Sequence, residues 1–263
     1  MSLRRKLESQ DGYEISYLTQ GEGPTLVLLA PMLHSSVWWD ETGYIGRLAE
    51  RHAVIAVDML GHGDSDKPID PAAYNEEAVV GHVLEVLEAE NVGDAVVWGL
   101  GNGAETAGVV GRRRTDVVKA VVCGGMYLGD VLAGLRARGI DGAEIAESAA
   151  QAVERGDWDM YFRLMPVDVP PDLGAIHRAG TDPRAVAAMT RANLARHRSF
   201  LKPPSPTLVY WAAGDNFALD NARIAEQMPI ETWVVPGGRA DSFLQVDLVC
   251  ERVERFLDEH VTR

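Results

Sequence analysis

The sequence predicts an α/β protein with an eight-stranded, mostly parallel sheet, helices on both sides and a helical cap inserted after the sixth strand. Three observations carry this. Short, unbroken apolar runs rich in valine recur along the chain, as strands buried on both faces require. Helical patterns alternate with them, the order of a doubly wound sheet. One long stretch, 128–202, holds helical patterns and no clear strand.

In chain order, residues 5–8 and 13–18 read as two strands joined by the turn Gln10-Asp11-Gly12. The apolar runs follow at 25–30, 53–57, 95–98, 118–123, 207–212 and 232–235. Helical spacing falls at 41–51, 76–90, 102–113, 220–227 and 242–260. Pro203-Pro204-Ser205-Pro206 returns the chain to the sheet. The expected division is a core of residues 1–127 and 203–263 with a cap of 128–202.

The 263 residues carry 39 acidic and 25 basic side chains, a net charge of −14. Such a surface repels polyanions, so no nucleic-acid partner is expected. Arg112-Arg113-Arg114 reads as the cationic end of a helix. No apolar stretch approaches membrane-spanning length, and the basic start Arg4-Arg5-Lys6 runs into polar sequence rather than a signal-peptide core. The expectation is a cytoplasmic monomer or homodimer with a small-molecule partner. Cys123 and Cys250 make no disulfide framework and read as core residues. No metal-ligand spacing occurs, and Gly99-Leu100-Gly101-Asn102-Gly103-Ala104 lacks the glycine pattern of a dinucleotide loop, so neither a metal nor any other cofactor is expected.

Three segments resemble the α/β-hydrolase superfamily. Val57-Asp58-Met59-Leu60-Gly61-His62-Gly63-Asp64-Ser65 resembles its tight loop after the fourth strand. Val96-Val97-Trp98-Gly99-Leu100-Gly101-Asn102-Gly103-Ala104 sits where the superfamily has its G-x-Ser-x-G nucleophile elbow. Leu208 to Asp215, with Trp233 to Asp241, resembles the segments that supply the triad's acid and histidine. The resemblance implies that fold and a pocket between core and cap.

The departures redirect the chemistry. Gly101 stands at the nucleophile's position, Ala240 at the histidine's, and Ala30-Pro31 where His-Gly is common. Of the triad only the acid, Asp215, remains, and Ser-His-Asp catalysis needs a nucleophile beside a base. An oxyanion hole survives such losses, because it is made of backbone N–H groups, here those of Asn102 and Met32. Asp215 and His34 are the candidate acid–base pair. Their plain alternatives are a loop-capping carboxylate and a backbone-bonded loop histidine. His62 reads as part of a structural turn, and His52, His82, His177, His197 and His260 as surface residues. Glu105 reads as a carboxylate favoured at a helix start.

Leu33, Trp38, Trp39, Trp98, Tyr127, Trp158, Tyr161 and Arg239 are the candidate substrate contacts, implying an apolar ligand. The leading expectation is cofactor-free, non-hydrolytic chemistry of lyase, isomerase or cyclase type on a small apolar carbonyl compound in specialised metabolism. Two alternatives stand beside it. One is an ester, lactone or epoxide hydrolase using water activated by Asp215. The other is an inactive small-molecule binding protein.

Overall fold

The computed structural model describes residues 2–165, 181–196 and 199–261. Eight strands form one sheet: β1 Leu3–Glu8, β2 Glu14–Gln20, β3 Thr25–Leu29, β4 Ala53–Val57, β5 Ala95–Leu100, β6 Val118–Gly124, β7 Thr207–Ala212 and β8 Glu231–Val235. Their order is β1-β2-β4-β3-β5-β6-β7-β8. The pairs β1–β2 and β2–β4 are antiparallel, and all others are parallel. This is the mostly parallel, helix-flanked sheet that the alternating pattern implies.

The central strands earn their apolar composition. Every residue of β5 and of β7 is buried. β8 departs from the expectation of burial on both faces. It is an edge strand, and its residues alternate between partial exposure and exposure until Val235. An edge has only one covered side, so the continuous apolar requirement lapses there.

Eleven α-helices lie among the described residues, besides a 3-10 turn at Pro71–Tyr74: α1 Ser36–Glu41, α2 Tyr44–Leu48, α3 Glu76–Ala89, α4 Asn102–Arg113, α5 Val131–Ala137, α6 Gly142–Glu154, α7 Trp158–Leu164, α8 Pro183–Arg196, α9 Ala218–Ala225, α10 Asp241–Leu244 and α11 Val246–His260. Two predicted helices are broken. The pattern at 41–51 holds only α2, because Gly43, whose φ of 90° a helix interior cannot hold, cuts off its start, and α1 lies ahead of the expected range and ends at Glu41. The pattern at 242–260 breaks at Gln245 (φ −82°, ψ 63°), whose side-chain amide donates to the Pro236 carbonyl at 3.0 Å. Between β6 and β7 the described residues are helical or irregular, holding α5 to α8. No helix among the described residues is long and apolar enough to cross a membrane.

Side chains from the two faces of the sheet build two separate cores. Val27, Leu29, Val97, Val121 and Cys123 meet α3, α4 and the helices α6 to α8 on one face. Leu26, Leu28, Val96, Trp98, Val122 and Tyr210 meet α1, α2 and α11 on the other. The alternation of neighbours along each strand sets this partition.

Candidate functional site

At the end of β5 the chain turns sharply into α4 at Gly101 (φ 53°, ψ −119°). Only glycine takes this conformation without strain. The two flanking glycines are needed for clearance. A Cβ at Gly99 would lie 2.1 Å from the Gly103 carbonyl oxygen, and one at Gly103 would lie 2.3 Å from that of Leu29. A Cβ at Gly101 itself would lie 3.2 Å from the Pro31 Cβ, so the proline packs against the turn where a nucleophilic side chain would start. The Asn102 N–H, at the first position of α4, has no acceptor within its own helix. The facing loop is under tension too. Leu33 holds a φ of 69°, a left-handed conformation costly for a leucine.

A cavity of about 470 Å³ opens beside this turn. Its wall follows helical spacing. Asn102, Glu105, Thr106, Val109 and Arg112 form one stripe of α4, Glu76, Val79 and Val80 one face of α3, and Met189 and Asn193 one face of α8. Met32, Met59, Leu60, His62, Tyr74 and Met126 complete much of the rest. Methionine supplies a pliable apolar wall.

The helices between β6 and β7 are fastened to the loop after β3 at the Met32 sulfur. Asn193 Nδ2 donates to it at 3.3 Å and the Tyr161 hydroxyl at 3.9 Å, while Tyr161 also bonds Thr190 at 3.2 Å. Burial pushes the Tyr161 phenol up to about 12, so it stays a donor at neutral pH. Arg112 Nη1 donates to the Gly108 and Leu201 carbonyls at 3.2 and 2.6 Å, and burial lowers the pKa of its guanidinium.

Met32 and Asn102 lie on this cavity; the other expected site residues do not. Asp215 is buried, accepts the Phe217 N–H at 3.0 Å and lies 3.9 Å from Arg239 Nε. Two residues predicted for separate roles thus pair with each other, and Arg239 Nη1 is buried without a hydrogen-bond partner. Ala240 leads into α10, and Ser242 Oγ donates to the Arg239 carbonyl at 2.7 Å. The His34 ring places Nδ1 3.0 Å from the Met32 carbonyl and packs edge-on against Trp38.

The aromatic residues correct the expectation of an aromatic ligand wall. Trp38, Trp39 and Trp98 pack with Tyr44 on the far face of the sheet, and Trp98 Nε1 donates to Tyr210 at 3.1 Å. The strand alternation that sends Val97 toward the cavity side sends Trp98 away. Tyr127 packs on Phe217 with centroids 4.5 Å apart, and Trp158 packs on Tyr161 and Phe162 within the cap. Leu33 is core. His82, expected at the surface, is buried and bonded to Asp11 at 3.0 Å, and His52 is buried as well. His177 and His197 lie outside the described residues. Burial pushes the Cys123 thiol far above its usual range, so it is no nucleophile at neutral pH.

His62, Glu76, Glu105, Thr106, Arg112 and Asn193 are cavity residues that sequence reasoning did not assign to the site. For α4 a signal existed. Polar residues at positions 102, 105, 106 and 112 share one helical face with the turn that starts the helix.

The family model described as "Alpha/beta hydrolase family" matches residues 26–251. The chain is 38% identical over 84 residues to an uncharacterised protein of Mycobacterium bovis, covering 31% of this chain and 24% of that one. It is 31% identical over 124 residues to the soluble epoxide hydrolase of a Corynebacterium species, covering 47% and 42%. The match thus spans less than half the length of either relative. Among solved structures, the bottromycin epimerase BotH in complex with bottromycin A2 superposes with a TM-score of 0.81 at 22% identity, covering 96% of this chain and 99% of that one. At that identity the likeness speaks to fold alone.

Proposed function

The chain belongs to the alpha/beta hydrolase family, and from that premise we propose that it is a cofactor-free, non-hydrolytic enzyme with a degenerate triad. Its substrate is a small, largely apolar carbonyl compound, and its reaction is of isomerase, lyase or cyclase type. The observation that carries this is the turn into α4. Gly101 offers no side chain to attack a carbonyl, and Pro31 packs against the space where one would begin. What remains at that point is a set of backbone donors. The Asn102 and Met32 N–H groups are suited to hold the oxygen of an enolate, which is stabilisation without a nucleophile.

The apolar wall of Met32, Met59, Leu60, Val79 and Met126 suits an apolar body. The named activity of BotH, an epimerase, supports the idea that this fold carries non-hydrolytic chemistry. In this reading Asp215 serves Arg239 and the loop around it, not the substrate.

One observation favours a second reading. The 31% identity to a soluble epoxide hydrolase keeps hydrolysis by Asp215-activated water in play. The two are separated by turnover in oxygen-18 water. Purified protein is incubated with a panel of aromatic ketones, lactones and epoxides, and the products are weighed by mass spectrometry. Conversion at constant mass, without oxygen-18, supports the isomerase reading. Loss of mass by fragmentation without label supports a lyase. Incorporation of oxygen-18 with the mass of a water overturns both in favour of the hydrolase, and a compound retained unchanged points to a binding protein.

A further inference from the structure

Three consecutive arginines close α4, and they are not used alike. Arg113 pairs with Glu77 at 2.7 Å and Arg114 with Asp116 at 3.0 Å. Arg112 forms part of the cavity wall and has no carboxylate within ion-pair distance among the described residues. Glu76, whose charge acts on it, is exposed and pairs with Arg113 at 3.5 Å. Glu105, the other acid of the wall, stands about two turns earlier on α4, and helical side chains lean toward the N-terminus, here toward the turn at Gly101.

The two edges of the Arg112 guanidinium differ. Nη1 is occupied by the Gly108 and Leu201 carbonyls at 3.2 and 2.6 Å. The segment that carries Leu201 is fixed in turn. The Phe200 N–H donates to the Leu128 carbonyl at 2.9 Å, and the Phe200 ring fills the space that Gly108 leaves, since a Cβ there would lie 2.8 Å from it. The other edge, Nε and Nη2, has no acceptor among the described residues and is not closed off from solvent. Its two N–H groups run parallel, at the spacing of the two oxygens of one carboxylate. Burial lowers the pKa of the group, the mark of a charge short of solvent, and an anionic partner offsets that loss.

The cavity has a direction. At the Arg112 end Glu76, Ser199 and Leu201 are exposed, Leu201 at 61%, so the cavity meets the surface there. At the other end Met32 and Met126, which flank the turn at Gly101, are buried. Nη1 is bonded at Gly108, six residues beyond Asn102, and a rise of about 1.5 Å per residue puts it about 9 Å along α4 from the Asn102 N–H. A ligand held at Arg112 by its polar end lays its apolar body inward, toward the turn.

We propose that Arg112 is the carboxylate anchor of this cavity and that the ligand is an apolar carboxylic acid, with both carboxylate oxygens on the Nε–H and Nη2–H edge. As a binding site the anchor stands without the enzyme reading. As a substrate class, an acid whose ketone lies about 9 Å from its carboxylate, it rests on that reading.

The probe is 7-oxo-7-phenylheptanoate, compared by calorimetry with its neutral primary amide. The acid is expected to bind the wild type at least about tenfold tighter, the strength of charge-assisted hydrogen bonds. Arg112→Gln abolishes the preference, and Arg112→Lys, which keeps the charge and loses the fork, retains only part of it. A thermal melt checks that each variant folds. In the wild type, the arginine Nε–H resonance that is missing from Arg112→Lys moves on adding the acid and not the amide, a readout that does not need the glutamine variant to fold. Equal binding of acid and amide, binding of neither, a preference unchanged in Arg112→Gln, or a resonance that the acid leaves unmoved overturns the anchor.

The enzyme reading is read separately, as deuterium uptake beside the ketone of the same probe in heavy water above the protein-free rate. An acid preference lost in Arg112→Gln, with no uptake in the wild type, leaves the anchor in place and counts against the isomerase. Uptake with equal binding of acid and amide does the reverse.

Discussion

The two faces of the sheet have opposite characters. On one, Trp38, Trp39, Tyr44 and Trp98 interlock, mostly edge to face, with ring centroids 4.8–5.9 Å apart where they meet, Tyr210 accepts from Trp98, and the space is filled. On the other, methionines, valines and scattered polar groups leave about 470 Å³ open under α8. The rigid, bulky side chains went to the face that needs stability. The pliable ones line the face with a cavity. Aromatic content near an expected pocket is therefore a poor guide to ligand contact unless the strand parity of each residue is followed as well.

The contrast breaks first at Trp98. Trp98→Ala opens a void in the filled face and leaves the Tyr210 hydroxyl without its donor, and is expected to cost about 3–5 kcal/mol in urea unfolding. A loss under about 1 kcal/mol would mean that this face is not the stabilising one. Arg239→Met comes next. It strands the buried Asp215 carboxylate and is expected to cost roughly 1–3 kcal/mol by the same measurement.

Gly101→Ser sharpens the picture of the cavity side. It restores a hydroxyl at the turn but adds the strain of a positive φ, about 1–3 kcal/mol, and a 3.2 Å approach to Pro31. With no histidine beside it, p-nitrophenyl acetate hydrolysis should stay at the wild-type level. A burst of nitrophenol would show a base within reach.

The smallest effect is one of pH. Burial lowers the pKa of His62 and of His52 in the folded protein below the ordinary 6.5. Between that lowered value and 6.5 the unfolded chain binds more protons than the folded one, so stability rises with pH through this window. The contribution is complete above 6.5 and is lost as the pH falls through the folded value. The melting temperature should therefore drop on acidification from neutral pH, and the slope should be shallower in His62→Asn.

Much of the sheet was legible because its signal is local. The unbroken runs at 53–57 and 207–212 reappear as β4 and β7 with the same ends, and 102–113 as α4. The breaks at Gly43 and Gln245 were less visible. Gln245 is an ordinary helix residue until Pro236, nine positions earlier, accepts from its side chain.

The candidate site divides in the same way. Gly101 and the glycines around it are readable from sequence, since a strand-to-helix turn this tight needs residues without a Cβ. His62 was readable as a turn residue and no more. Its Nδ1 bond is local, two residues back to Leu60, and gives a structural reason for the ring. That His62 lies in a cavity wall depends on Met189 and Asn193 of a helix more than a hundred residues away.

The sequence by itself determined the strands, most helices, the missing side chain at Gly101 and the backbone donors beside it, because each follows from periodicity or from one residue's conformational range. Only the tertiary structure decided which face each aromatic served, that Asp215 and Arg239 pair, and which polar groups border the cavity. Those outcomes depend on packing between segments far apart in the chain, and the free energy of a buried charge or ring is set by whatever neighbour arrives there.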